Sequence, residues 1–263
     1  MPDTIIPFSD VSGMAVAAIV VIYFLSFFIR GTLGFGSAMP AVLGGVWFLP
    51  PHDAVLIALL TSVFAQVQLL PQGFREANWR IAKPMIAGML VSVVVGVWIF
   101  ATLKAASLTI LLGIFMSIAV LIDMTGITER AARHVRLDRI SIAFGLAAVA
   151  GLVAGIVGAG SNYFMSFYLR WASPQPSMFR ATNIILSGFM VLWRCVITVF
   201  AGLITLKLVI ESALVMPAVF AGNWAGRQVA MRLSTRRYFG FFRLLLLAAS
   251  VALVWKGIVA LQK

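Results

Sequence analysis

Two arginines stand in apolar text where no charge is expected. Arg194 lies inside Phe189-Met190-Val191-Leu192-Trp193-Arg194-Cys195-Val196-Ile197, and Arg30 closes an apolar run that starts near residue 13. On insertion scales an arginine at the centre of a membrane helix costs about 2.5–3.5 kcal/mol, so such a residue is retained for a reason. Its planar guanidinium suits bidentate contact with the oxygens of a sulfonate or carboxylate. The competing account of Arg194 is a carboxylate partner or an outward-reaching side chain. Arg30 either neutralises a bound anion or caps exposed helix carbonyls.

The polar and glycine residues around these charges occur twice. Gly31-Thr32-Leu33-Gly34-Phe35-Gly36-Ser37 is matched by Gly155-Ile156-Val157-Gly158-Ala159-Gly160-Ser161, 124 positions later, and Trp47 and Pro50 match Trp171 and Pro174 at the same offset. Thr61-Ser62 is matched by Thr182-Asn183, 121 positions later, and Ser92-(x3)-Gly96 resembles Gly222-(x3)-Gly226. An anion that leaves water needs replacement donors. Backbone N–H groups at helix starts supply them, favoured by the helix dipole. Pieces beginning near Ser37 and Ser161 would offer two such ends, facing each other across a pseudo-twofold axis. Gly34, Gly36, Gly158 and Gly160 would let the backbone approach. Side-chain donors are Ser37, Ser161, Asn162, Thr61, Ser62, Thr182, Asn183, Gln66 and Ser187. Ser62 and Gln66 are four apart and share a helix face, as do Asn183 and Ser187. The plain alternative is that these small polar residues hold packed helices together. Trp47 fits an interfacial belt, while Trp171 and Trp193 fit either a belt or a pocket wall.

The elements that position these groups follow from composition. Of 263 residues 62% are hydrophobic and 11% charged, against about 45–50% and about 25% in soluble domains. No soluble fold of this size hides so much apolar surface. Apolar segments run at about 13–30, 38–49, 54–70, 84–103, 106–124, 140–154, 161–172, 181–206, 208–230 and 239–261. The two short ones, 38–49 and 161–172, directly follow the glycine motifs. Twelve residues of helix reach only about 18 Å, too little for about 30 Å of hydrocarbon. Each motif therefore reads as a break between helical pieces at membrane depth, where protein or water must satisfy the backbone.

Charge selects the topology. The net charge is +12, and the positive-inside rule accounts for it without nucleic acid. With the N-terminus outside, and each half built as one broken or re-entrant helix plus three crossings, the cytoplasmic side carries most of the basic residues. These are Arg75, Arg80, Lys83, then Arg130, Arg133, Arg136, Arg139, then Arg170, Arg180, Arg227, Arg232, Arg236, Arg237 and Arg243. Lys104, Lys207, Lys256 and Lys263 fall outside, and Arg30 and Arg194 stay at membrane depth. Three crossings per half insert the second half upside down, the inverted-repeat plan of many secondary transporters. The expected fold is an all-α polytopic membrane protein of two inverted repeats, 1–125 and 140–263, joined by a basic cytoplasmic linker, 126–139. The starting segment has no basic residue before Arg30 and reads as part of the mature chain.

Other chemistries find little footing. One cysteine, Cys195, allows no internal disulfide. Two histidines, His52 and His134, sit in expected loops, so neither a metal cluster nor a nucleophile–base pair is in sight. No GxxxxGK loop is present, so the chain hydrolyses no ATP by that route. Neither a cofactor nor an enzymatic activity is expected. Asp53 and Asp123 fall at helix ends. Glu211 lies one turn beyond Lys207, which makes an ion pair the plainer account and a proton relay the sharper one. The expected partners are a small anion and the lipid bilayer, with no nucleic acid; association of identical copies is left open.

At the glycine motifs, Pro40, Thr61-Ser62, Thr182-Asn183 and the Pro/Gly-marked third helices, the chain resembles the TauE/SafE family of sulfite exporters along nearly its whole length. The second half departs from the Thr-Ser pair that members often carry twice, having Asn183. The resemblance implies a multi-pass inner-membrane carrier of small anions such as sulfite, sulfoacetate or other organosulfonates. Alternating access around a midplane site between the repeats is the expected mechanism; a passive anion channel and a carrier of non-sulfur carboxylates are the alternatives.

Overall fold

The computed structural model describes residues 7–9, 11–33, 36–67, 70–125, 140–159, 165, 168–169, 172, 175–230 and 235–261. Among them every regular element is a helix. In chain order these are α1 (Gly13–Leu33), α2 (Ala38–Gly45), α3 (Pro51–Val67), α4 (Leu70–Glu76) and α5 (Trp79–Thr102). They continue as α6 (Ala105–Thr125), α7 (Ile140–Val157), α8 (Pro176–Phe200), α9 (Leu206–Ala230) and α10 (Thr235–Leu261). The basic linker 126–139 lies outside the described residues.

Gly13–Thr32, Trp79–Thr102, Ala105–Ile122, Ser177–Phe200 and Leu206–Val229 are long and apolar enough to cross a bilayer. Pro51–Val67, Ser141–Val157 and Leu246–Leu261 are shorter apolar helices. A helix satisfies its backbone internally, which hydrocarbon demands. The outer faces are apolar as well: Val91, Trp98, Phe200, Trp224 and Trp255 are all exposed. Water would not tolerate so continuous a surface, and lipid covers it. The chain is an all-α, multi-pass membrane protein.

Both glycine motifs end a helix. α1 runs three residues beyond its expected end, stops at Leu33, and α2 begins at Ala38. Gly36, between them, has φ +94°. α7 ends at Val157 and the next residue, Gly158, has φ +74°. The left-handed backbone costs an L side chain about 1–2 kcal/mol and suits glycine. The short helix expected over 161–172 falls largely outside the described residues, with 165, 168–169 and 172 helical. α4 was not expected. It lies just past the expected apolar segment 54–70, carries Pro71 and Gly73, and packs on α8. A Cβ on Gly73 would lie 2.8 Å from Ile184 Cγ2.

The helices pair reciprocally. α1 packs chiefly along α9, α5 along α7, and α6 along α10. A Cβ on Gly31 would lie 3.0 Å from Gly226 Cα, and one on Gly155 would lie 2.6 Å from Gly96 Cα. Gly31 and Gly155 are 124 apart, and Gly96 and Gly226 are 130 apart, so the two seams use matching positions. The carbonyls of Phe28 and Leu152, also 124 apart, face Gly226 and Gly96. Between α6 and α10, Gly113 abuts Val254 while Gly257 abuts Ile110, and Ser117 donates to Ser250 at 2.8 Å. Small residues at these contacts let the backbones close up, which is how helices associate where lipid removes the hydrophobic drive.

The apolar interior falls into two clusters. One joins residues of α1, α2, α3, α6, α9 and α10 with Phe100 of α5 and Val157 of α7. The other joins α5, α7, α8 and the helical residues Met165, Tyr168 and Leu169. α8 contributes to both, with Ile185, Leu186 and Met190 in the second and Val191 and Cys195 against the first. The α3–α8 contact therefore lies where the two clusters adjoin.

Candidate functional site

Along that boundary the buried polar groups collect. On α8, Asn183, Ser187, Met190 and Arg194 are spaced to share a face. On α3, Val55, Ser62 and Gln66 do the same. Gln66 settles which face of α3 meets α8, because its Nε2 donates to Ile184 O at 2.8 Å.

Arg194 is 2% exposed. Its guanidinium lies over the Phe100 ring, 5.5 Å from the centroid, in a cation–π contact. Nη1 packs against Gly158, where a Cβ would overlap it and would also lie 3.0 Å from Val55 Cγ1. Nε and Nη2, the two nitrogens along one edge of the fork, have no hydrogen-bond partner among the described residues. A buried donor without a partner is costly, more so when charged. An edge of two parallel N–H groups is the geometry that takes two oxygens of one oxyanion. The carboxylate partner considered for Arg194 is not found among the described residues, and the side chain is buried rather than reaching outward.

Arg30 is also buried, at 7% exposure. Its Nη2 donates to Gln66 Oε1 at 2.6 Å, and the guanidinium lies 5.9 Å from the Phe27 centroid. Gln66 thus ties α1 to α8 through both ends of one amide. Arg30 and Arg194 are not brought to one point. Arg194 lies level with Val55 and Arg30 level with Gln66, and those two positions on α3 are separated by about 16 Å of helix rise. The reason is the length of α1, which carries Arg30 to the far end of a 21-residue helix.

The paired polar motif divides its labour identically in both halves. Thr61 Oγ1 donates to Ile57 O at 2.8 Å, and Thr182 Oγ1 to Met178 O at 2.7 Å. Both hydroxyls return to their own helix; that of Thr182 also accepts the N–H of Asn78 at 2.9 Å. Their neighbours Ser62 and Asn183 are buried, and Ser62 Oγ and Asn183 Oδ1 lack partners among the described residues. Ser187 is half-buried and engaged. Ser37 is 2% exposed and caps α2 through no side-chain bond. Gly36 is open, with nothing near the place of a Cβ. Gly34, Gly160, Ser161 and Asn162 lie outside the described residues, as does Trp171.

Sequence reasoning missed Phe100 and the Ile184 carbonyl. An aromatic floor and a backbone acceptor from a distant helix leave no local mark. Other candidates serve packing. Trp193 Nε1 donates to Leu90 O at 2.9 Å, so its indole is held to α5. Trp47 is exposed beneath Lys256 Nζ at 5.0 Å, and Lys256 also donates to Val46 O at 2.8 Å. Glu211 is buried and its Oε1 accepts the N–H of Phe8 at 2.9 Å. His52 Nε2 lies 3.2 Å from Phe100 O. Among the described residues no group of three His, Cys, Asp or Glu side chains could hold a metal ion.

The family model described as Sulfite exporter TauE/SafE matches residues 19–253. Neither a curated protein nor a solved structure matches the chain.

Proposed function

From the chain's membership of the sulfite exporter TauE/SafE family, we propose that it is a secondary transporter that carries sulfite or a small organosulfonate by alternating access. One observation carries this reading: the fork edge of buried Arg194 has no partner among the described residues. The anion binds there through two charge-assisted hydrogen bonds. Phe100 supports the guanidinium from its ring face and Gly158 holds the far nitrogen in place. Ser62 Oγ and Asn183 Oδ1 line the route between the clusters, Ser62 as a donor and Asn183 turning its amide to suit. Water is replaced by fixed donors, so the anion crosses without an aqueous pore.

Alternating access needs two bodies that can rock. The matched seams, Gly31 on Gly226 and Gly155 on Gly96, support two repeats, 1–125 and 140–263, that exchange their helices and insert in opposite senses. The positive-inside distribution supports an inner-membrane location with both termini outside and 126–139 in the cytoplasm.

The test is sulfite counterflow in proteoliposomes containing the full chain. The expected result is saturable exchange that Arg194→Ala lowers at least about tenfold, the value of a charge-assisted hydrogen bond. Arg194→Lys, which keeps the charge without the fork, should recover only part. Undiminished exchange in Arg194→Ala removes Arg194 from the route. Flux without saturation or counterflow makes the protein a channel.

A further inference from the structure

The contact of α1 with α9 holds more than packing. Gly31 lies against Gly226 and the backbone N of Arg227, so the residues flanking the glycines, Arg30 and Arg227, come to one place on the seam. The seam built from the matching positions, Gly155 against Gly96, has Ala154 and Val97 where this one has Arg30 and Arg227. Close helix packing therefore needs no charge here, and two like charges side by side oppose it. Arg30 is buried, and its hydrogen-bond partner is a neutral amide, Gln66 Oε1; no carboxylate among the described residues is paired with it. Two arginines whose backbones meet at one seam, with no carboxylate paired to Arg30 among the described residues, make a site for an anion.

The geometry points to a second oxyanion station at Arg30 and Arg227, separate from Arg194, where Gln66 Oε1 holds Arg30 until the anion arrives. This rests on the transport reading above. The ligand class is a small dianion with three or more oxygens, able to bridge two guanidinium groups. Arg227 is exposed on α9 and gives the station its mouth, while buried Arg30 is its inner wall. An anion moving from Arg30 to Arg194 covers about 16 Å of rise along α3 past Ser62. Each transfer is then a short exchange between fixed donors rather than one long crossing of hydrocarbon. A phosphate group on an anionic lipid presents similar chemistry, and the experiment separates the two.

The full chain in phosphatidylcholine nanodiscs is titrated calorimetrically with sodium sulfite. Two sulfite ions per chain are expected for the wild type and one for Arg194→Ala. Arg227→Gln, a change at an exposed position, should keep the Arg194 site and weaken the other at least about tenfold. Arg30→Lys should weaken it as well, and a single elution peak identical to wild type controls for folding. One ion per chain that Arg194→Ala abolishes and Arg227→Gln leaves untouched overturns the second station while the transport reading stands. No sulfite heat in any protein overturns both. A change in Arg227→Gln confined to thermal stabilisation by phosphatidylglycerol, with sulfite titrations unaltered, assigns the pair to lipid headgroups and overturns the station.

Discussion

The guanidinium of Arg194 rests on the backbone of Gly158, with Nη1 occupying the space a Cβ would need. The helix break and the buried charge are therefore one structure. Gly158→Ala adds left-handed strain of about 1–2 kcal/mol and also displaces the guanidinium. Gly36→Ala adds the strain alone, since its φ is +94° and nothing lies near its Cβ position. Both variants should lose thermal stability. Only Gly158→Ala should lower sulfite counterflow by about tenfold or more. Equal transport in the two would break the link between Gly158 and Arg194.

The threonine and its neighbour in each matched pair should respond oppositely. Thr61 spends its hydroxyl on Ile57 O, whereas Ser62 Oγ has no partner among the described residues. Thr61→Val should keep sulfite exchange within about twofold, because a net hydrogen bond of about 1 kcal/mol within one helix is lost and no donor to the route. Ser62→Ala should reduce exchange several-fold with stability unchanged or raised. Initial rates of counterflow at several sulfite concentrations check both.

Parts of this arrangement are legible in the sequence and parts are not. Arg194 and Gly158 announce themselves, one as a charge in apolar text, the other as a glycine where a helix must stop. Helical spacing also puts Ser62 and Gln66 on one face. Spacing cannot say which hydroxyl is spent on its own helix, so Thr61 and Ser62 read alike until their partners are known. Nor can it find Ile184 O, a backbone acceptor 118 positions from Gln66. The two arginines read as one site because both lie at membrane depth. Their separation shows only against α3, where Arg194 lies level with Val55 and Arg30 level with Gln66. Nor does spacing show α4, which lies just past the expected apolar segment 54–70 and meets Ile184 and Ile185 of α8.

The reciprocal seams should be equally sensitive. Gly31→Leu drives a side chain into Asn223 O and Gly226, and Gly155→Leu into Val93 O and Gly96. These are backbone atoms that cannot turn aside, so helix separation is the only relief. Overpacking of this kind costs about 1–3 kcal/mol or more. Both variants should lower the melting temperature by similar amounts, measured by tryptophan fluorescence in detergent. A large loss in one and none in the other would count against equivalent seams.

Gln66 makes the last prediction, because one side chain serves two helices. Gln66→Ala leaves Arg30 Nη2 and Ile184 O without the partners they have at 2.6 Å and 2.8 Å. Losing the partner of a buried group costs about 1–3 kcal/mol, more for a charged one, so the variant should melt earlier than wild type. Sulfite should stabilise it more than it stabilises wild type, since the freed Arg30 no longer competes for its own amide. Thermal shifts across a sulfite series measure this directly. If the shift is the same in both proteins, Gln66 is a brace between α1 and α8 and takes no part in exchanging the anion.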